Sequence, residues 1–75
     1  MEWQDRITVD PAVLVGKPII KGTRIAVEFV IELLADGWTV EQILKEYAHL
    51  TAEDIQACLA YARDVLQSEK VYLYS

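Results

Sequence analysis

Little in this 75-residue sequence offers covalent or metal chemistry. It has one cysteine, Cys58, and one histidine, His49. A lone cysteine excludes a disulfide within the chain, and two soft or imidazole ligands fall short of a structural zinc set. No long apolar run is present, because Glu28, Glu32 and Asp36 interrupt the richest stretch, so no segment is expected to span a membrane. The opening Met1-Glu2-Trp3-Gln4-Asp5-Arg6 is polar and mixed in charge, unlike a secretory signal. A free cysteine with no leader fits a reduced cytoplasm. Repeats and low-complexity segments are absent as well. No cofactor and no small-molecule substrate are expected.

Charge is present but unevenly placed. Residues 1–25 carry four cations against three acids, a net of +1, and residues 26–75 carry three against nine, a net of −6. An acidic body repels phosphate and attracts basic partners. A chain this short buries only a little over ~60% of its unfolded surface, so a partner subunit is the natural extra support, and a homodimer is expected.

The chain reads as one domain in three parts: an extended arm over 1–25, a helical cluster over 26–68 and a tail over 69–75. In the arm, β-branched Ile7-Thr8-Val9 predicts a short strand ended by Asp10-Pro11. Pro18-Ile19-Ile20 predicts a second, at an edge because proline lacks a donor. Lys21-Gly22 then suits a tight turn with positive φ at the glycine. A helix is expected from about Ala26 to Asp36, with acids only at Glu28, Glu32 and Asp36, hence apolar on most sides and ended by Gly37. Thr39 and Gln42 have capping-box spacing, and Val40, Ile43, Leu44 and Tyr47 form one apolar face of a second helix. Thr51 begins a third, with Glu53 and Asp54 in its first turn, running to about Ser68. Its apolar face is Ile55, Cys58, Leu59, Ala62, Val65 and Leu66. Val71-Tyr72-Leu73-Tyr74 alternates as a strand does, free to pair with the arm. The expected class is therefore all-α: a three-helix bundle with a short N-terminal β arm, its second and third helices forming a helix-turn-helix across Ala48-His49-Leu50.

Ile7-Thr8-Val9-Asp10-Pro11, Gly16-Lys17-Pro18, Ile20 and Gly22-Thr23-Arg24-Ile25 together resemble the signature of a bacterial and archaeal family of unknown function, DUF433. Leu33-Leu34-Ala35-Asp36-Gly37, Glu41-Gln42-Ile43-Leu44, Glu46-Tyr47, His49-Leu50-Thr51, Glu53-Asp54-Ile55 and Ala57 through Ala62 extend the likeness to roughly residues 7–66. Ala48 departs from it, standing where relatives usually carry proline. The resemblance implies a homeodomain-like helix-turn-helix fold. It also implies an antitoxin-like component of a toxin–antitoxin pair, neutralising a PIN-type nuclease toxin and binding its own promoter DNA. The alternative is a protein-interaction or dimerisation module that binds no nucleic acid.

Five residues are candidates for partner or nucleic-acid contact: Lys17, Lys21 and Arg24 in the arm, and Gln56 and Arg63 on the third helix. A phosphate-binding loop is excluded, since Gly22 is followed by Thr23-Arg24 and Pro18 removes an amide. The glycines fit a purely architectural role, with Arg24 paired to an acid such as Asp10. Equally, the three arm cations can reach the DNA minor groove or the acidic metal site of a nuclease. Gln56 can read adenine and Arg63 can touch phosphate, but acidic neighbours make the third helix a poor anion binder. His49 fits a capping role beyond the second helix. Cys58 fits a buried core position, and no nucleophile–base pair supports an enzyme. Trp3, Trp38 and the Tyr72/Tyr74 pair suit either core edges or an interface.

Overall fold

A computed structural model describes residues 2–68 of the chain. The expected strand at Val71–Tyr74 and the roles of Tyr72 and Tyr74 lie outside the described residues. The elements, in order, are a 3-10 turn at Trp3–Asp5, strand β1 at Ile7–Val9, a 3-10 turn at Leu14–Gly16 and strand β2 at Pro18–Ile20. Helices α1 at Val27–Ala35, α2 at Val40–Glu46 and α3 at Ala52–Ser68 follow. No helix among the described residues is long and apolar enough to cross a membrane.

The strands pair antiparallel, with Ile7 opposite Ile20 and Val9 opposite Pro18. The expected all-α class is thereby corrected: the fold is mixed, helices dominating, with a two-stranded hairpin built into it. The reason lies in burial. Ile7, Ile19 and Ile20 are all buried, Ile20 only 1% exposed. Ile7 and Ile20 share one core with Val30 of α1, Ile43 of α2 and Ile55 of α3. The arm is thus a wall of the core rather than an appendage to a helical bundle. The β-branched hairpin supplies one side of that core, with the three helices supplying the rest.

Each helix boundary has a local cause. α1 ends in a Schellman motif: Gly37 N–H donates to Leu34 C=O at 3.0 Å and Trp38 N–H to Leu33 C=O at 3.0 Å. Gly37 takes φ +94°, which a side chain would strain. At the start of α2, Gln42 N–H donates to Thr39 Oγ1 at 3.1 Å and Thr39 N–H to Gln42 Oε1 at 2.8 Å, the reciprocal pair expected from their spacing. Between α2 and α3, Leu50 N–H donates to Tyr47 C=O at 2.9 Å, so the turn closes with Ala48 in place of proline.

The buried face of α3 differs from the expected one. Asp54, Ile55, Ala57, Cys58 and Ala60 are buried, whereas Leu59, Val65 and Leu66 are exposed. Apolar periodicity ignores small residues, yet Ala57 and Ala60 allow close approach of the neighbouring elements. α3 packs against α1, α2, the N-terminal turn and β1. Trp3 of that turn reaches as far along α3 as Tyr61 and Asp64, and residues 65–68 beyond them are exposed.

Candidate functional site

The turn between β2 and α1 is the best-defined feature that meets solvent. Ile20 N–H donates to Ile25 C=O at 3.0 Å and Thr23 N–H to Ile20 C=O at 3.1 Å. The Thr23 hydroxyl donates to Ile20 C=O at 2.8 Å and accepts from Ile25 N–H at 2.9 Å. Gly22 supplies the positive φ of +78° that the reversal requires. A further bond, Lys21 N–H to Arg6 C=O at 2.8 Å, ties the turn to the residue before β1. The backbone is fixed on both sides, so the exposed side chains of Lys21 and Arg24 project from a rigid base. Among the described residues neither side chain has a salt-bridge partner.

Lys17 stands apart from them. It precedes β2 while Lys21 and Arg24 follow it, and three extended residues separate the two ends by about 10 Å. The ammonium of Lys17 is also paired with Glu28 of α1. The densest basic cluster of the sequence therefore divides into one neutralised cation and two free ones. Arg24 does not reach Asp10, whose Oδ1 instead accepts from Ala12 N–H at 2.9 Å in a local turn.

On α3, Gln56 and Arg63 are both exposed and seven residues apart, so they share one face. They are far along the chain from the β2–α1 turn, and Arg63 is engaged: its Nε donates to Asp64 Oδ1 at 2.9 Å and its Nη2 lies 2.9 Å from the same oxygen. Asp64 Oδ2 accepts a 2.7 Å bond from the Trp3 indole N–H. That bond first, and then the one from Arg63, hold the Asp64 carboxyl below the usual carboxylate range. Trp3 also packs edge-on against Tyr61, with ring centroids 4.8 Å apart, which settles it at a core edge.

Arg6 carries a role that charge counting alone does not reveal. Its Nη1 donates to Asp54 Oδ1 at 3.1 Å and lies 3.4 Å from Thr51 Oγ1. Asp54 in turn accepts from Thr51 N–H at 3.0 Å, while Asp54 N–H donates to Thr51 Oγ1 at 3.2 Å. This is a capping box with Asp in the usual Glu or Gln position, and Arg6 locks it to the hairpin. Thr51-x-x-Asp54 was the only signal in the sequence that could have located it.

Cys58 and His49, the soft and imidazole groups of the sequence, lie in opposite environments. Cys58 is fully buried, and burial, reinforced by the negative charge of Asp54, pushes its thiol up to about 12. It is a small core hydrophobe with no accessible thiolate at neutral pH. His49 is exposed, and its ring makes no hydrogen bond among the described residues. No group of three or more His, Cys, Asp or Glu among those residues is placed to hold a metal ion. An apolar patch does reach solvent around the second 3-10 turn, where Leu14, Val15 and Phe29 meet. Val15 is 95% exposed and, like Leu14, has positive φ.

Comparison with known proteins places this geometry among relatives. Residues 7–62 match the model of the family DUF433, described as a protein of unknown function. An uncharacterized protein of Sinorhizobium fredii, y4eO, is 38% identical over 56 residues, covering 75% of this chain and 25% of its own length. The crystal structure of a DUF433 member from Anabaena variabilis superposes with a TM-score of 0.80 at 31% identity, over 87% of this chain and 64% of that one. The chain thus spans about a quarter of the first relative and under two-thirds of the second.

Proposed function

Because this chain belongs to the DUF433 family, we propose that it is a protein-binding module whose contact surface is the Lys21–Arg24 turn. In its specific form the module is the antitoxin-like partner of a PIN-type nuclease toxin, acting in the cytoplasm. The observation that supports this is the pair of free cations on a rigid turn. Of the other cations in the described residues, Arg6, Lys17 and Arg63 are each spent on an acid of the same chain, and Lys45 stands singly on α2 with no salt-bridge partner, so Lys21 and Arg24 form the one close pair in sequence. A guanidinium and an ammonium held on a braced loop lose little freedom on binding and suit a cluster of carboxylates, the ligand set of a nuclease metal site.

Autoregulatory DNA binding is the lesser part of the proposal. The exposed face of α3 offers Gln56 and an Arg63 already paired with Asp64, so the turn would carry most of the phosphate contact. A homodimer is proposed through a different surface, the Leu14–Val15–Phe29 patch, since singly exposed apolar groups are ordinary but a contiguous group favours contact.

The test is co-expression with the product of the neighbouring gene, followed by co-purification and a growth assay. Expected are a stable complex and relief of toxicity, both lost in Lys21→Ala/Arg24→Ala. A neighbour that is harmless alone, or that co-purifies equally well with the double variant, contradicts the proposal. Mobility shifts on the promoter DNA separate the nucleic-acid part: binding whose salt slope is unchanged by the double variant removes the turn from any DNA contact.

A further inference from the structure

We propose that the Leu14–Val15–Phe29 patch closes on a second copy of itself about a twofold axis, with Val15 of each copy seated on the other's patch and Lys17 of each facing Glu32 of the other. This rests on the homodimer proposed above and gives it a symmetry and a charge pairing. The first observation is the display of Val15. Leu14, Val15 and Gly16 follow one another at φ +50°, +56° and +77°. A β-branched side chain rarely adopts that conformation. Backbone bonds hold it nonetheless: Gly16 N–H donates to Val13 C=O at 3.1 Å and Lys17 N–H to Leu14 C=O at 3.2 Å. Val15 is 95% exposed, so its side chain contributes almost nothing to the core of its own chain. What valine offers here is an apolar knob on a fixed turn.

Beside the knob lies its counterpart. Leu14, Ala26 and Phe29 line a hollow of about 490 Å³. Ala26 is small and buried, which keeps the floor low, and Phe29 is set edge-on against Tyr47 with ring centroids 5.7 Å apart. Charge follows the same pattern. The rim carries Lys17, Glu28 and Glu32. Lys17 is paired with Glu28, while Glu32 is exposed and has no salt-bridge partner among the described residues. A lysine ammonium has several donors, so Lys17 can hold Glu28 and still donate to a second carboxylate.

Knob and hollow, cation and unpaired acid therefore stand on one surface. A twofold contact needs both halves of each pairing on every copy, because residue i meets residue j and j meets i. A partner of other chemistry needs only one half. That self-complementarity decides for a second copy as the occupant. A patch of so few side chains falls at the small end of specific interfaces, so the dissociation constant is expected to be on the order of micromolar.

Sedimentation velocity of the full chain over a concentration series tests this. The parent chain should self-associate, and Val15→Asn should raise the dissociation constant at least about tenfold while the unfolding midpoint of the monomer does not fall. Lys17→Glu and Glu32→Lys should each weaken self-association to a similar extent. A mixture of those two chains should associate about as tightly as the parent, since opposite charges then meet at both symmetry-related pairs. Net charge alone predicts a different order: the Glu32→Lys chain is the least negative, so its homodimer would be the tightest. A chain that stays monomeric throughout, or a dimer that Val15→Asn leaves intact, overturns the proposal together with the homodimer through this patch. A mixture no tighter than either variant alone, or a Glu32→Lys homodimer tighter than the mixture, overturns the twofold pairing and leaves that homodimer standing.

Discussion

Arg6 and Arg24 lie at the same end of the hairpin, one before β1 and one after β2, yet their surroundings differ. Arg6 meets Asp54 and Thr51 and holds α3 against the strands. Arg24, with Lys21, stands on a turn braced by five hydrogen bonds from backbone and Thr23, and no acid of the described residues is in a salt bridge with either cation. Similar side chains therefore serve opposite ends. Where a carboxylate is supplied from within, the cation contributes to the fold. Where the scaffold is rigid and the carboxylate is missing, the cation is left for another molecule.

The largest expected effects belong to the hairpin as a wall of the core. Ile20→Ala should destabilise by about 2–4 kcal/mol, as large-to-small core changes do, and chemical denaturation measures it. A loss under about 0.5 kcal/mol, the range of a surface change, would return the arm to the status of an appendage. Next is the Arg6 side. Asp54→Ala removes one half of the capping box and the partner of Arg6, and should cost about 1–2 kcal/mol. In a double-mutant cycle with Arg6→Ala the two losses should be less than additive, because both act on one network. Additive losses would separate the cap from the hairpin.

Strain gives a gain of smaller size. Val15 is β-branched, almost wholly exposed and at φ +56°. Val15→Asn tolerates that conformation, so the stability of the monomer should rise by about 1 kcal/mol. If binding by the proposed partner falls at the same time, Val15 belongs to a contact as well. The smallest effect concerns Asp64. Its carboxyl is depressed in the folded state, so its contribution to stability is present above the ordinary carboxylate value and is lost as pH falls through the lower, folded one. An NMR titration of Asp64 should give a midpoint below the ordinary value, and Trp3→Phe should move it back up. An unmoved midpoint would assign the shift to Arg63 alone.

Much of this was legible in the sequence, for identifiable reasons. Thr39 with Gln42, Gly37 after α1 and Gly22 in the turn are local signals, and local signals act where they stand. The family likeness rested on the same kind of residues. Periodicity points to an all-α class because it measures how many residues are helical, not whether two short strands complete the core. It also points to the wrong face of α3, because Ala57 and Ala60 carry little hydrophobic weight yet are buried. Within the candidate site, residue types were legible and pairing was not. Charge counting grouped Lys17 with Lys21 and Arg24, and only the packing of α1 beside the arm gave Lys17 to Glu28. The role of Arg6 needed Asp54 to be brought from far along the chain.

The decisive comparison is between stability and binding in the Lys21→Ala/Arg24→Ala chain, measured on one preparation. Because both side chains are exposed and unpaired in the described structure, the midpoint of unfolding should stay within about 0.5 kcal/mol of the parent. Affinity for the co-expressed partner, read by calorimetry, should fall at least about tenfold, equivalent to about 1.4 kcal/mol. Unchanged affinity, or a loss of stability as large as the loss of binding, would contradict the assignment of this turn to a partner.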